Sequence, residues 1–274
     1  CGAVRRSARG LARVKIEIEL QALQVPLPGL PAEMEGQRLL VLSDLHMHEE
    51  GLLYEGALNA ARAAKPHLIL LAGDVIDEKT WDVNVLRPLL KGLCALAPVV
   101  AVSGNNDAQP GLFDALCALY EACGVKLLQD EACDYTLDGA RICVIGVQDP
   151  DVYALNMHEK QPGIPALHAR MMGFLPPDDG KMVNLVLVHR PERAPQLRAL
   201  APKLIVCGHA HGGQFRAFGR GLYAPGQGIF PRYTSGLYDL DGAKLAVCRG
   251  LGNHAFVPRI NNPPHMMLLI LQRG

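Results

Sequence analysis

The amino-acid sequence predicts an α/β protein with two mixed β-sheets and helices on their outer faces. Apolar runs of strand length alternate with segments of helical periodicity in the first half of the chain, which is typical of βαβ units. Later, the Asp-Gly pairs at 138–139 and 241–242 separate apolar runs and predict antiparallel hairpins. Several apolar runs end in acid, amide or imidazole side chains, which parallel strands would bring to one sheet edge.

The composition is that of an ordinary soluble globular protein. The 274 residues are 49% hydrophobic, and 27 basic side chains balance 27 acidic ones. A net charge of +0 provides no global attraction to nucleic acid or anionic membrane, so no nucleic-acid surface is expected. The eight cysteines form no CxxC pair. We interpret most of them as buried apolar residues in a reducing compartment, with a disulfide or zinc ribbon as the alternative.

The beginning of the chain has two interpretations. It starts at Cys1 instead of Met and carries Arg5, Arg6, Arg9 and Arg13. This stretch is either a frayed basic terminus or the remainder of a removed membrane anchor, and a lipoprotein cysteine is a further alternative. No run of about 18 apolar residues occurs in the sequence.

The first 36 residues are expected to form an N-terminal segment that packs on a main domain, 37–274. Residues 14–20 alternate apolar and charged side chains, which predicts an antiparallel edge strand. Residues 24–36 are predicted to be a loop, because three prolines exclude a central strand: Pro26, Pro28 and Pro31.

Strands and helices alternate through the main domain. Strands are predicted at 38–43, 67–72, 99–103, 133–137, 141–147, 183–188, 204–207, 236–240, 244–248 and 266–271. Helices are predicted at 51–64, 83–96, 112–122 and 191–200. The long proline-containing stretch 149–180 is expected to supply a substrate-covering loop, a short helix or a plain connector.

Polar side chains that follow the predicted strands indicate a metal site. Asp44 and His46 would share one side of an extended segment, and His209 and His211 lie in a glycine-flanked loop without an apolar face. A single such residue is more often a cap, a turn or a satisfied polar group. Seven together indicate a common purpose: Asp44, His46, Asp74, Asn105, His189, His209 and His211.

The order of these motifs resembles the calcineurin-like metallophosphoesterases. Asp44-x-His46, Gly73-Asp74, Gly104-Asn105, His189 and Gly208-His-x-His211 carry the resemblance. It implies a four-layer α-β-β-α sandwich. Three later segments are similar to the bacterial, often membrane-anchored branch that includes YkuE and YaeI: Gly212-Gly-Gln214, Arg249-Gly-Leu-Gly252 and Pro258-Arg-Ile-Asn-Asn-Pro-Pro264.

The resemblance implies a dinuclear site. Asp44, His46 and His211 would hold one divalent ion, and Asn105, His189 and His209 the second, with Asp74 bridging both. Mn²⁺, Fe or Zn²⁺ suits this mixed ligation better than Mg²⁺. A water bridging the two ions would attack a phosphomonoester, a phosphodiester or a pyrophosphate.

The chain departs from the family's Gly-Asn-His-Asp/Glu motif, because it has Asn106 before Asp107. An amide cannot act as a general acid near neutral pH. Asn106 and Asp107 remain candidate catalytic residues, and His48 is the candidate substitute for the missing histidine, unless it is merely exposed.

Three arginines near the predicted site have open roles. Arg190 is expected to reach a phosphate or to pair with Glu192. Arg249 and Arg259 are interpreted as solvated surface residues that could alternatively line the cleft.

The function expected is that of a hydrolase that acts on a phosphoester substrate, with lipid-linked or nucleotide-sugar compounds among the candidates. The methionines and leucines of 149–175 would suit an acyl chain, although methionine is more often core filler. The alternative is a non-catalytic metal-binding scaffold on the same fold. A structural zinc protein is disfavoured because the donors are not thiolates. The resemblance implies a bacterial protein, either cytoplasmic or associated with the membrane through an anchor that precedes Cys1.

Overall fold

Two six-stranded β-sheets form the centre of the structure, a computed structural model that describes residues 17–46, 51–77, 82–155, 163, 165–167, 169, 182–253 and 258–274. The first sheet contains β1 (Glu19–Leu27), β2 (Arg38–Leu42), β3 (Leu68–Ala72), β4 (Val99–Val102), β5 (Lys126–Leu127) and β16 (His265–Arg273). Its strand order is β1-β16-β2-β3-β4-β5. Strands β2 to β5 are parallel, whereas β16 is antiparallel to β2 and parallel to β1.

The second sheet has the strand order β14-β15-β9-β8-β7-β6. Its strands are β6 (Glu131–Leu137), β7 (Ala140–Val147), β8 (Met182–Val188), β9 (Leu204–Cys207), β14 (Gly236–Leu240) and β15 (Ala243–Val247). The pairs β6–β7 and β14–β15 are antiparallel hairpins that turn at the two predicted Asp-Gly dipeptides. Strands β7, β8, β9 and β15 are mutually parallel neighbours.

Two small antiparallel ribbons lie in the chain between β9 and β14. The first pairs β10 (Arg216–Ala217) with β11 (Arg220–Gly221). The second pairs β12 (Tyr223–Ala224) with β13 (Gly228–Ile229). The first ribbon begins shortly after the loop that carries His209 and His211, and the second ribbon follows the first.

Helices cover the outer faces of the two sheets. The first sheet packs against α1 (Gly51–Ala64), α2 (Val83–Cys94) and α3 (Leu112–Cys123), close to the predicted bounds. Asp82 is the N-cap of α2, and its carboxylate accepts the N–H of Asn84 at 2.8 Å. After β7 comes α4 (Pro150–Leu155), and the second sheet packs against α5 (Ala194–Leu197) and its neighbouring turns.

Three apolar layers hold these elements together, which confirms the four-layer α-β-β-α sandwich. Strand β3 shows why its sequence is continuously apolar. Ile69 and Leu71 face α1 to α3, whereas Leu68, Leu70 and Ala72 face the second sheet. Every residue of β3 is fully buried, because the strand is covered on both faces.

Strand β1 corrects the prediction for the N-terminal segment. Residues 24–27 belong to the strand instead of a loop, and β1 runs parallel to β16. Pro26 is tolerated because β1 has a strand neighbour on one side only, so an edge position accommodates the missing N–H. Of the predicted strand 14–20, residues 19 and 20 are in β1, and residues 14–16 lie outside the described part of the chain.

The segment 191–200 differs from the prediction, and most of the segment 149–180 lies outside the described residues. The predicted helix 191–200 is broken into a 3-10 turn, α5 and a second 3-10 turn, since Pro191 and Pro195 remove backbone donors. Helix α4 opens the irregular stretch 149–180, most of which lies outside the described residues. Across the described ranges, no helix has both the length and the apolar character needed to span a membrane.

Candidate metal centre

Loops at the carboxyl ends of five strands bring the predicted ligands together. Asp44, Asp74, Asn105, His189 and His209 lie one to three residues beyond the ends of β2, β3, β4, β8 and β9. The two carboxylates and four imidazoles of the predicted set are at most 4% exposed. Groups of this polarity are buried only when they have partners or bind an ion.

Six of these side chains form two adjacent groups. Asp44, His46 and His211 place their donor atoms within 4.8 Å of one another, and so do Asp74, His189 and His209. The imidazole nitrogens approach each other at 3.1 Å between His46 Nε2 and His211 Nε2, and at 3.0 Å between His209 Nδ1 and His189 Nε2.

Asp74 joins the two groups. Its Oδ2 lies 3.2 Å from His189 Nε2 in its own group and 3.7 Å from His46 Nε2 in the other. One carboxylate oxygen therefore faces donors of both groups, which is the geometry needed for a bridging ligand.

The turns that present these residues have an unusual backbone. Five of the seven predicted ligands adopt a left-handed φ: Asp44 (47°), His46 (35°), Asp74 (53°), His209 (65°) and His211 (45°). The expectation that Asp44 and His46 share a face of an extended segment is therefore wrong, because the chain turns at both residues. Such conformations cost about 1–2 kcal/mol per residue and persist only when the surroundings enforce them.

Glycines allow the loops to approach one another. A side chain at Gly104 would overlap Oδ1 of Asp74, and a β-carbon at Gly208 would lie 2.6 Å from Ser43 Cβ. The glycines of the Gly-Asn and Gly-His motifs thus permit backbone contact between neighbouring ligand loops.

The carboxylate of Asp107 holds the Asp74 loop by accepting hydrogen bonds from the backbone N–H groups of that loop. Its Oδ2 accepts the N–H groups of Asp74 (2.9 Å) and Gly104 (2.8 Å), and its Oδ1 accepts those of Val75 (2.9 Å) and Ile76 (3.0 Å). Burial and the charge of Asp74 raise the pKa of Asp107 to about 7, against the opposing effect of these backbone donors. Asp107 therefore acts on the site by positioning the Asp74 loop.

Asn106 faces Asp74. Its Nδ2 donates to Asp74 Oδ2 at 2.7 Å, and its backbone N–H donates to Oδ1 at 2.8 Å. In this structure the amide therefore orients the carboxylate that joins the two groups. The preceding residue, Asn105, buries its Oδ1 without a hydrogen-bond partner in the described part of the chain.

Electrostatics indicate that the cluster attracts positive charge. Burial lowers the pKa of His189, but the charge of Asp74 outweighs it and raises that pKa to about 10. Burial also raises the pKa of Asp74, yet His189 holds it well below the usual range. For His209, burial and then the charge of His189 lower the pKa to about 3, so this imidazole is neutral. The buried carboxylates of Asp44 and Asp74 thus favour positive charge beside them, which His189 supplies in part.

The tautomer of His189 is set by a backbone carbonyl. His189 Nδ1 lies 2.7 Å from the oxygen of Ala72, which only accepts, so Nδ1 carries the proton. A cation that replaces the proton on Nε2 would then meet a lone pair directed toward Asp74 and His209. A carbonyl that orients a histidine in this way is the usual support of a metal ligand.

A segment near the end of the given sequence, residues 249–262, supports the loops of Asp44 and His211. The N–H of Gly252 donates to the oxygen of Asp44 at 2.6 Å. Asn262 Nδ2 donates to the oxygen of His211 at 2.6 Å. The branch-specific motifs at 249–252 and 258–264 were the available signal, but periodicity does not reveal which carbonyl a side chain reaches.

The three arginines differ from their expected roles. Arg190 pairs with Asp149 (2.7 Å) and Asp151 (2.9 Å) instead of Glu192. Arg249 is 6% exposed and pairs with Glu19 at 2.7 Å, so it is not a solvated surface residue.

Arg259 lies beneath the His211 loop. Its Nη2 donates to the oxygens of Arg249 and Gly252 and lies 3.2 Å from His211 Nδ1, while Nε and Nη1 are buried. Burial, the charge of His46 and then that of Arg259 lower the pKa of His211 well below the usual range. Arg259 is therefore not a solvated surface arginine, and it helps to keep His211 neutral. His48 lies outside the described residues.

Relatives of the chain carry phosphoesterase descriptions. It is 28% identical over 241 residues to the phosphodiesterase YaeI of Escherichia coli, covering 85% of this chain and 82% of YaeI. It is 24% identical to YkuE of Bacillus subtilis, an uncharacterized metallophosphoesterase, covering 89% and 82% of the two chains. These matches confirm the resemblance to the YkuE and YaeI branch.

Other matches are partial. With the uncharacterized protein YpbG of Bacillus subtilis the identity is 27% over 183 residues, 66% of this chain and 63% of YpbG. The profile of the calcineurin-like phosphoesterase family matches residues 37–213, the region that contains all seven predicted ligands. By this match, and by the architecture that places those ligands at the carboxyl ends of strands of both sheets, the chain belongs to the calcineurin-like phosphoesterase family.

Proposed function

We propose that the chain is a metal-dependent phosphoester hydrolase in which the seven predicted ligands hold two divalent ions. The observation that supports this most strongly is the pair of buried carboxylate–imidazole groups that share Asp74. Asp44, His46 and His211 would hold one ion, and Asn105, His189 and His209 the other.

The residues present fit such a pair of ions. The donor set combines two carboxylates, one amide and four imidazoles, which suits Mn²⁺, Fe or Zn²⁺. The unpartnered Oδ1 of Asn105 offers a lone pair to a cation, and His189, whose Nδ1 proton faces the oxygen of Ala72, would offer Nε2 once a cation replaces the proton there. Two such ions would polarise a phosphoryl oxygen and would activate a water for in-line attack.

The chain's own residues orient this chemistry. Asp107 fixes the backbone of the Asp74 loop, and Asn106 fixes the Asp74 carboxylate. Asn106 cannot donate a proton to the leaving group, so we propose that the natural substrate has a leaving group that is stable as an anion, or that another residue supplies the acid. Pyrophosphates and phosphodiesters with acidic leaving groups meet the first condition.

The substrate class proposed includes phosphomonoesters, phosphodiesters and pyrophosphates, with lipid-linked or nucleotide-sugar compounds as specific candidates.

The first test is hydrolysis of bis-p-nitrophenyl phosphate and p-nitrophenyl phosphate by protein loaded with Mn²⁺. We expect turnover that a chelator abolishes and that added metal restores, because the ions activate the attacking water. Metal-loaded protein that is inert on a broad panel of esters would instead support the non-catalytic scaffold.

Asp74→Asn tests the shared ligand. We expect it to remove more metal than any other single ligand change, because Asp74 faces both groups and a neutral amide binds cations more weakly. Elemental analysis of purified protein measures the bound metal. The exposed Asp114→Asn is the matched control and should retain full metal. Equal metal loss in His189→Ala would contradict the bridging role.

Asp107→Asn tests the positioning role of the buried carboxylate. The amide has one acceptor oxygen in place of two, so about two backbone N–H groups lose their partner, at about 1–3 kcal/mol each. Urea unfolding of metal-free protein should show a loss of about 2–6 kcal/mol, whereas Asp114→Asn should show little change. Unchanged stability with a large fall in kcat would assign Asp107 a direct catalytic role instead.

Asn106→His tests the missing acid. We expect turnover of esters with poor leaving groups to rise, by at most the 10²- to 10⁴-fold of general acid catalysis, while esters of p-nitrophenol change little. The kcat values for alkyl and nitrophenyl phosphates measure this difference. Asn106→Ala is the control, since it also removes the bond to Asp74, and metal content is determined for both variants. An unchanged ratio of the two rates would show that the acid comes from elsewhere.

A further inference from the structure

The two ribbons between β9 and β14 expose an unusual amount of apolar surface. Phe218, Ile229 and Phe230 are 104%, 74% and 80% exposed. The other large apolar side chains that are exposed among the described residues are Leu222, Tyr223 and Ile260. Ile260 forms an isolated β-bridge with Phe215, the residue before β10. We call residues 215–232 together with Ile260 the ribbon surface. Scattered apolar residues are normal on a protein surface, but a cluster of this kind indicates contact with a partner.

The two phenylalanines are also unfavourable for the backbone. Phe218 and Phe230 adopt φ values of 50° and 55°, in the left-handed region that glycine and asparagine usually occupy. Neither residue gains burial within the chain in return. These two aromatic side chains, which are exposed and have a strained backbone, therefore suggest contact with a partner instead of a role in stabilising the fold.

The ribbon surface is positively charged. Residues 215–232 contain Arg216, Arg220 and Arg232 but no aspartate or glutamate, and the acidic side chain of Glu192 lies beside Gly226. Arg216 is engaged within the fold, since Nη1 donates to the oxygen of Gly212 and to Ser235 Oγ, both at 2.8 Å. Arg220 and Arg232 are exposed and form no ion pair with any residue that the structure describes. They remain available to an anionic partner.

A cavity lies between the aromatic tips. Its volume is about 820 Å³, and its walls include Phe218, Leu222, Phe230, Arg220 and Arg232. Apolar walls with arginines at the same place suit a molecule that is apolar on one side and anionic on the other, which is the chemistry of an acidic phospholipid.

We propose that the ribbon surface docks on a lipid bilayer that contains anionic headgroups. Exposed aromatic side chains on turns can insert into the boundary between the headgroups and the acyl chains of a bilayer. Their rings then contact acyl chains instead of water. The exposed arginines would bind phosphate groups at the same depth. The ribbons are fixed to the candidate metal centre, because the N–H of Leu222 donates to the oxygen of Gly213, two residues beyond His211. The proposal does not rest on hydrolysis.

Vesicle co-sedimentation with the full chain tests the docking. We expect binding to vesicles of phosphatidylcholine mixed with phosphatidylglycerol and weaker binding to phosphatidylcholine alone. Phe218→Ser combined with Phe230→Ser should lower the partition coefficient by about tenfold or more. The double variant lacks the two aromatic rings whose transfer from water to the bilayer stabilises the bound state. Arg220→Gln combined with Arg232→Gln should lower binding to the mixed vesicles by about tenfold.

A charge-matched control is Arg87→Gln with Lys91→Gln, two exposed positions on α2. It should bind like the unchanged protein, and all variants keep the N-terminal arginines. Turnover of a soluble nitrophenyl ester should be the same in every variant, which separates docking from catalysis. Absence of binding to either vesicle, or equal binding by the phenylalanine variant, would overturn the proposal. A dimer that the phenylalanine variant dissociates, without vesicle binding, would assign the surface to a second copy instead.

Discussion

The candidate metal centre depends on backbone contact between loops that end neighbouring strands. Gly104 lies against the carboxylate of Asp74, and Gly208 lies against Ser43 and Asp44. No residue with a side chain fits at either position without displacing a ligand. Gly208 thus brings a loop of the second sheet against a loop of the first, and the polar ligands become each other's neighbours.

This arrangement is unfavourable for the chain alone. Five ligand residues have left-handed backbones, and Asp44 and Asp74 are buried close together. Burial raises the pKa of Asp44, as expected for a carboxylate without enough positive charge nearby. A bound cation relieves this, so metal affinity and folding free energy are coupled in such a site. The Asp107 carboxylate and the Asn262 amide hold the loops in place through backbone groups.

Local pattern predicted most of the fold. Continuous apolar runs identified the central strands, and helical periodicity located α1 to α3 because each has one buried face. The local pattern wrongly predicted a loop at Pro26. A proline is tolerated in an edge strand, and only the order of strands in the sheet shows that β1 is an edge strand. The polar residues after the strands pointed to the candidate ligands. The roles of Asp107, Arg259 and Asn262 could not be predicted, since they depend on which backbone groups distant segments bring within reach.

Strand β16 has a consequence for the order of events during synthesis. It separates β1 from β2, so among the described strands β1 has no hydrogen-bonded neighbour until β16 has been made. The segment that supports the Asp44 and His211 loops also comes late in the chain. A nascent polypeptide can thus pair β2, β3 and β4 early, whereas its ligand loops gain their full support only after residues 249–262 have been made.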